Sequence, residues 1–139
     1  MWVYTDLFKG KTSGNSPGFA LTLVAESTSG ALLSAESVGA GGQLPEEVGT
    51  LAAEALLQQV KEAGAVDAAH QSLALVLMAL GPEDVSRLRL GALTPFTQEV
   101  LRMLRDFFGL TFQIDAEPDG SVLCTCRGVG FKNLAKRTT

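Results

Sequence analysis

The chain has few of the residues on which common catalytic and metal sites depend. Its 139 residues include one histidine and two cysteines. The cysteines, Cys124 and Cys126, have a C-x-C spacing that places both on one face if the segment is a strand. A redox or zinc site typically uses C-x-x-C pairs, completed for zinc by further ligands. The spacing therefore favours two buried thiols in a reducing compartment.

Basic charge and long hydrophobic runs are also scarce. With 11 basic and 15 acidic residues the net charge is −4, which argues against a generic, charge-driven nucleic-acid binder. The carboxyl end alone is basic, and its Lys132, Lys136 and Arg137 are either candidate RNA contacts or part of a solvated tail. The longest apolar run, residues 73–80, is far shorter than the roughly 20 residues of a membrane-spanning helix. No secretory signal is visible, so we expect a soluble intracellular protein without a membrane partner.

The composition and the periodicity predict one α+β domain over residues 1–139. Hydrophobic residues make up 46% and charged residues 19% of the chain, which is enough apolar surface for a core. Alternation predicts strands, and three-to-four spacing with caps predicts helices. The predicted order is strands 2–8, 19–28 and 31–38, helices 44–64 and 68–80, strand 86–93, helix 94–109, and strands 110–117 and 121–131. The helices are expected to pack on a mixed, mainly antiparallel sheet, in which strand 2–8 pairs with strand 19–28.

Individual helices carry more specific expectations. The second helix is apolar on nearly every side, which is typical of a fully buried helix. The third helix is capped by Thr94 and stopped by Gly109, with Phe107 and Phe108 on its apolar face. "GVGF", residues 128–131, is too short for a nucleotide loop and predicts a strand end with unusual backbone torsions.

The single histidine raises the main functional question. His70 could act as a general base with Asp67 beside it. If the second helix begins near Ala68, however, Asp67 occupies the N-cap, where a carboxylate accepts backbone N–H bonds. His70 would then lie in the first turn at the edge of the core, where the helix dipole disfavours its protonated form. The local pattern favours this second reading.

Other chemistry is weakly represented. Arg102 and Arg105 lie on the polar side of the third helix and could contact phosphate or an acidic partner, or be solvated. We find no Walker-type loop and no paired-carboxylate site, and we predict no cofactor and no metal.

Five segments in one order resemble the carboxyl-terminal part of the RNA 3′-terminal phosphate cyclase family, most closely its cyclase-like nucleolar branch. The resemblance covers essentially the whole chain, but only about the last third of a family member, so we expect a fragment, a short isoform or a truncated gene model. It implies helices on a four-stranded sheet, as in the family's repeat unit. The segments are residues 16–36, 44–49, 64–81, 93–109 and 126–136.

The resemblance also implies a degenerate active site. Cyclases activate an RNA 3′-phosphate with ATP through an adenylate on a histidine, in a pattern similar to His-x-x-Asp-Gln. When the pattern is anchored on Gln71, the nucleophile position holds Asp67 and the aspartate position holds His70. A carboxylate cannot form the phosphoramidate that an imidazole forms. The resemblance therefore implies no catalytic residue here, in agreement with the cyclase-like branch.

The function implied by the resemblance is assembly of the small ribosomal subunit. A non-catalytic factor of the small-subunit processome would support early cleavage of pre-18S rRNA in the nucleolus, together with pre-rRNA, processome proteins and a nucleolar GTPase. Arg102, Arg105 and Asp106 are candidates for the partner-binding surface. The alternatives are an ATP-dependent RNA 3′-terminal phosphate cyclase, a pre-rRNA endonuclease, or a fragment with no activity of its own.

Overall fold

A computed structural model describes residues 1–62 and 64–132. It contains five strands, three α-helices and one short 3-10 turn at Gly10–Thr12 within these residues. In chain order the strands and helices are β1 (Ala20–Glu26), β2 (Leu32–Val38), α1 (Pro45–Lys61), α2 (Gln71–Leu80), β3 (Val85–Leu90), α3 (Pro95–Phe108), β4 (Gln113–Ala116) and β5 (Val122–Arg127).

The first half of the chain is a hairpin covered by one helix. Strands β1 and β2 pair antiparallel from Ala20 opposite Val38 to Glu26 opposite Leu32. Their turn contains Gly30 at φ 84°, a left-handed conformation that glycine adopts without steric cost. Helix α1 packs on the hairpin because its periodic small and branched residues face the strands. The buried residues of this half are Leu33, Ala35, Val48 and Ala52.

The second half packs α2 and α3 on a three-stranded antiparallel sheet of order β3–β5–β4. Alternate residues of each strand point to the helices, so the apolar ones build a single core. Both cysteines belong to this core, as predicted from their spacing. The buried members are Leu75, Ala79, Leu90, Leu104, Leu110, Phe112, Cys124 and Cys126.

The "GVGF" segment terminates α2. The backbone N–H groups of Val129 and Gly130 donate to Ala79 O and Gly81 O at 2.8 Å each, which satisfies carbonyls that a helix end leaves without partners. Gly130 has φ 64°, so the predicted unusual torsion is confirmed. A Cβ on Gly128 would lie 2.4 Å from Pro82 O, so only glycine allows the strand to approach the helix end this closely.

The α+β class is confirmed, but the predicted sheet is wrong in two respects. The strands form two separate sheets of two and three strands instead of one four-stranded sheet, and every pairing among the described residues is antiparallel, not mixed. The predicted strand 2–8 is also wrong. These residues are exposed and irregular, and the β1 edge where they were expected to pair carries no third strand in the described part. β-propensity alone does not form a strand without a partner.

Two helix predictions need correction as well. Helix α2 is buried on one side only, because Leu73 and Leu77 are 55% and 61% exposed. On α3 the one buried apolar residue is Leu104, whereas Phe107 is 82% and Phe108 42% exposed, since α2 and the sheet cover a narrower stripe than the apolar pattern suggests. None of the described helices is both long and apolar enough to cross a membrane.

Candidate functional site

The three residues at the predicted degenerate cyclase site lie together at the turn that leads into α2. Asp67 is 4% exposed, and its carboxylate bridges two parts of the chain. Oδ2 accepts from the backbone N–H of Ser34 at 3.0 Å and from the Ser34 hydroxyl at 2.9 Å. Oδ1 accepts from the backbone N–H of His70 at 3.1 Å. Asp67 thus ties strand β2 to the start of α2.

The prediction that Asp67 is the N-cap of the second helix is wrong, although its carboxylate does accept a backbone N–H three residues on. An N-cap carboxylate accepts an N–H two or three residues on, as Asp67 does from His70. The assigned helix begins at Gln71 with His70 as N-cap, because residues 68–70 form a separate turn. His70 is therefore not inside the first helical turn as predicted, but one residue before it.

The surroundings of Asp67 favour the ionised form of its carboxylate. Burial alone would raise the pKa of Asp67, but the hydrogen bonds from the His70 side chain and from the backbone and hydroxyl of Ser34 outweigh it. The pKa of Asp67 consequently lies below its usual value. An ionised carboxylate only accepts, so His70 Nδ1–H is the donor across the 2.7 Å to Oδ1. The His70 side chain is 55% exposed and orients Nδ1 toward the protein.

Gln71 is the centre of a second buried network. It is 1% exposed, and its Nε2 donates to Ala92 O at 3.1 Å. Its Oε1 accepts from the Thr97 hydroxyl at 2.9 Å and from the Thr94 N–H at 3.3 Å. Thr94 in turn caps α3 by accepting the Thr97 N–H at 3.0 Å, so the predicted cap is confirmed. Gln71 therefore connects the beginnings of α2 and α3.

Two of the three site residues, Asp67 and Gln71, are not available to react with a substrate. Asp67 and Gln71 use their polar atoms within the fold, and no buried side-chain nitrogen or oxygen of the described residues lacks a partner. A nucleophile must instead present a reactive lone pair to substrate. Of these three residues, His70 alone has a side-chain nitrogen, Nε2, that makes no hydrogen bond to the described part of the chain. No group of three potential metal-ligating side chains occurs in residues 1–62 and 64–132.

Ser34 and Thr97 are the site residues that sequence reasoning missed. Ser34 is a polar residue within the apolar strand "ALLSAESV", and Thr97 is a buried threonine in the first turn of α3. A hydroxyl that is shielded from water needs a hydrogen-bond partner, so the half-buried Ser34 and the buried Thr97 each indicate that a second polar residue lies nearby. Neither signal identifies which residue that is.

The candidate partner surface lies on the exposed side of α3. Arg102 forms an ion pair with Glu99, and Arg105 Nε donates to Asp106 Oδ1 at 3.0 Å. All four side chains are more than half exposed. Residues 102, 105 and 106 share one helix face, so the structure brings this predicted set together.

The predicted RNA-contact residues are only partly visible. Lys132 is exposed and lines a shallow surface depression with Glu83 and Phe131, close to the end of α2. Lys136 and Arg137 lie outside the described residues. The thiols of Cys124 and Cys126 face the core, where burial raises the pKa of each. Buried thiols with raised pKa values are poor nucleophiles.

Comparisons with known proteins match this chain to the same family along nearly its whole length. Residues 1–61 match the family model described as RNA 3′-terminal phosphate cyclase (RTC), insert domain. That match ends where α1 ends, so it coincides with the hairpin-and-helix half. The RNA 3′-terminal phosphate cyclase-like protein of Homo sapiens is 49% identical over 148 residues, which cover 98% of this chain and 40% of that protein.

Two further relatives extend the match to other organisms. The probable RNA 3′-terminal phosphate cyclase-like protein of Dictyostelium discoideum is 44% identical, covering 99% of this chain and 42% of that protein. The rRNA processing protein rcl1 of Schizosaccharomyces pombe is 36% identical, covering 99% of this chain and 38% of that protein. This chain is a relative of the RNA 3′-terminal phosphate cyclase-like proteins. It spans about two fifths of their length, which is consistent with the carboxyl-terminal portion predicted from sequence.

Proposed function

We propose that this chain is part of a non-catalytic factor for ribosomal RNA processing. The observation that carries the proposal is the match of 99% of the chain to a protein named for rRNA processing. The two other relatives are named as cyclase-like, and one residue of the site supports the non-catalytic part of the proposal. The position at which the family's pattern requires a nucleophilic histidine holds Asp67, whose carboxylate is buried and hydrogen-bonded to Ser34 and His70.

The finer part of the proposal concerns the particle and the compartment. We place the protein in the nucleus and nucleolus, in the small-subunit processome, where it supports early cleavage of pre-18S rRNA. A nucleolar GTPase is the proposed partner, and the face formed by Arg102, Arg105 and Asp106 is its proposed binding surface. The exposure of these side chains supports this assignment, since none of them is needed to hold the core.

The role in processing is tested by depleting the protein from its own cells. Depletion should lower mature 18S rRNA and raise the precursors that contain it, as measured by hybridisation with probes on either side of the early cleavage sites. Re-expression of the protein with Asp67→Asn should restore 18S rRNA in proportion to its folded level, since the proposed function needs no chemistry from the carboxylate. An unchanged precursor ratio after depletion would contradict the proposal.

The cyclase alternative has its own test. Incubation of the folded protein with labelled ATP should leave no label attached to the protein, because Asp67 cannot form a phosphoramidate. His70 is the only imidazole, so a His70→Ala control distinguishes a true adenylate from non-specific labelling. A covalent adenylate lost in His70→Ala would show that the histidine acts from the neighbouring position and would establish the enzyme reading.

A further inference from the structure

One side of helix α3 is a row of exposed apolar side chains. Phe96 is 67%, Met103 51% and Phe107 82% exposed, while Val100 is half-buried at the edge of the core. Residues three or four apart lie on the same side of a helix, so these four form a continuous row. We call Phe96, Val100, Met103 and Phe107 the α3 stripe.

The α3 stripe differs from the two sides of α3 described above. Successive residues of a helix are rotated by about 100° around its axis. Met103 therefore lies to one side of the buried Leu104, and Arg105 lies to the other side. A protein that covers the stripe leaves Arg105 exposed, so the stripe is a surface distinct from the proposed partner surface.

The α3 stripe is large enough for a reversible protein interface. An aromatic side chain buries about 150–250 Å² when it is fully covered, and the stripe has one at each end. Together with the flanking residues of the helix, two such stripes would bury on the order of 1,000 Å². Interfaces of this size are typical of weak, transient association.

The α3 stripe is symmetrical about its midpoint. The spacings of four, three and four residues read the same in both directions, with a phenylalanine at each end and a non-aromatic side chain at the two inner positions. A two-fold axis between Val100 and Met103 would therefore superpose the stripe on itself. Phe96 would meet Phe107 of a second copy, and Val100 would meet Met103. Alternating three and four spacing is also the pattern by which two helices interlock their side chains.

The charged residues beside the α3 stripe are already paired. Glu99 borders the stripe and forms an ion pair with Arg102. Asp106 borders it as well and forms an ion pair with Arg105. The border therefore carries equal numbers of positive and negative charges. It offers no excess charge to attract a strongly acidic or basic partner, whereas an apolar contact between two copies needs none.

We infer that the α3 stripe joins two copies of this chain in an antiparallel dimer with two-fold symmetry. This inference goes beyond the role in rRNA processing and does not depend on it. The small interface makes association reversible and dependent on concentration. Because the contact is apolar, moderate salt should not weaken the dimer, as it would weaken a contact between unlike charges.

The test is sedimentation velocity of the purified full chain over a series from micromolar to millimolar concentration. The average mass should rise with concentration from 14.6 kDa towards twice that value. Phe107→Glu should raise the dissociation constant at least about thirtyfold, as expected for the loss of an interface anchor. Leu57→Glu is the matched control, because it makes the same kind of change at a residue of α1 that is 67% exposed, and it should leave the dissociation constant unchanged. Both replaced side chains are largely exposed, so both variants should keep the urea midpoint of the wild type.

A cross-linking measurement tests the antiparallel arrangement. Phe96→Cys and Phe107→Cys are mixed under mild oxidation, and the mixed disulfide should form faster than either variant links to itself. The two natural cysteines are buried and should not compete. Faster self-linking would overturn the two-fold arrangement.

Two other outcomes would overturn the inference. Dissociation of the dimer by Leu77→Glu but not by Phe107→Glu would place the interface on α2 instead. A chain that stays monomeric at every concentration would exclude a second copy as the occupant. The stripe would then be assigned to the remaining three fifths of the longer relatives.

Discussion

The two halves of the chain differ in the size of their apolar cores. The half with α2 and α3 buries eight apolar side chains in one cluster, including Leu75 and Phe112. The hairpin-and-α1 half buries only four apolar side chains among the described residues: Leu33, Ala35, Val48 and Ala52. A two-stranded hairpin is marginally stable by itself. The second half therefore carries its own core, whereas the first half depends more on its attachment.

The two halves are attached to each other by polar contacts of residues 65–68, in the segment between α1 and α2. Asp67 accepts from Ser34 of β2, the Ala68 N–H donates to Gln59 Oε1 of α1 at 2.7 Å, and the Ala65 N–H donates to Arg89 O at 2.9 Å. The residues that the family resemblance assigns to a former active site thus occupy the position that joins the two halves. This comparison predicts that truncating a buried apolar side chain destabilises the second half most. It also predicts that substituting Asp67 destabilises mainly the first half.

The largest expected effect is that of Leu75→Ala. Leu75 is fully buried at the centre of the second core, so its truncation removes apolar burial and leaves a cavity, costing about 2–5 kcal/mol in the free energy of unfolding. Leu77→Ala on the same helix is the matched control, because Leu77 is 61% exposed and should cost less than about 1 kcal/mol. Urea denaturation measures both. Similar costs would mean that the cluster is not the main core.

Asp67→Asn should cost about 1.5–3 kcal/mol at neutral pH, because a neutral amide oxygen is a weaker acceptor than the charged oxygen that Ser34 contacts. Amide hydrogen exchange should show the loss of protection chiefly in β1 and β2. Asp115→Asn, on the exposed strand β4, is the control and should leave the hairpin amides unchanged. Uniform loss of protection across both halves would refute the attachment role.

The same substitution has a defined pH dependence. The pKa of Asp67 is lower in the folded chain than in the unfolded one, so its stabilisation is fully present above the ordinary aspartate pKa of about 3.9. It is lost as the pH falls through the lower folded-state value. The difference in unfolding free energy between wild type and Asp67→Asn should accordingly shrink in acid. A difference that grows in acid would show that the sign of the shift is wrong.

Gln71→Ala should cost about 1–3 kcal/mol, because it removes the acceptor that the Thr97 hydroxyl and the Thr94 N–H share and the donor to the Ala92 carbonyl. The loss should appear in the second half, at the beginnings of α2 and α3. Gln98→Ala is the control: Gln98 is exposed and donates only a long 3.4 Å bond, so its change should stay within about 0.5 kcal/mol. Equal effects of the two variants would show that the Gln71 network contributes nothing to stability.

Local signals predicted the elements best, and tertiary contacts account for the errors. The cap at Thr94 and the stop at Gly109 located α3 correctly, because both act within one turn. Strand 2–8 has the composition of a strand but finds no partner in the described part, which composition cannot show. The residues of the site were all singled out from sequence except Ser34 and Thr97. The bond between Asp67 and Ser34 spans 33 residues, and no spacing rule connects them.

The smallest expected effect on stability is on the exposed side of α3. Arg105→Ala with Asp106→Ala removes a solvent-exposed ion pair, which should change the free energy of unfolding by less than about 0.5 kcal/mol. If this face is the partner surface, the same double variant should lose co-precipitation with the GTPase, whereas Glu54→Ala, on the exposed side of α1, should not. Retained binding would remove the surface assignment. Loss of binding without loss of stability would separate the residues that bind the partner from those that hold the fold together, such as Asp67 between the two halves and Gln71 within the second half.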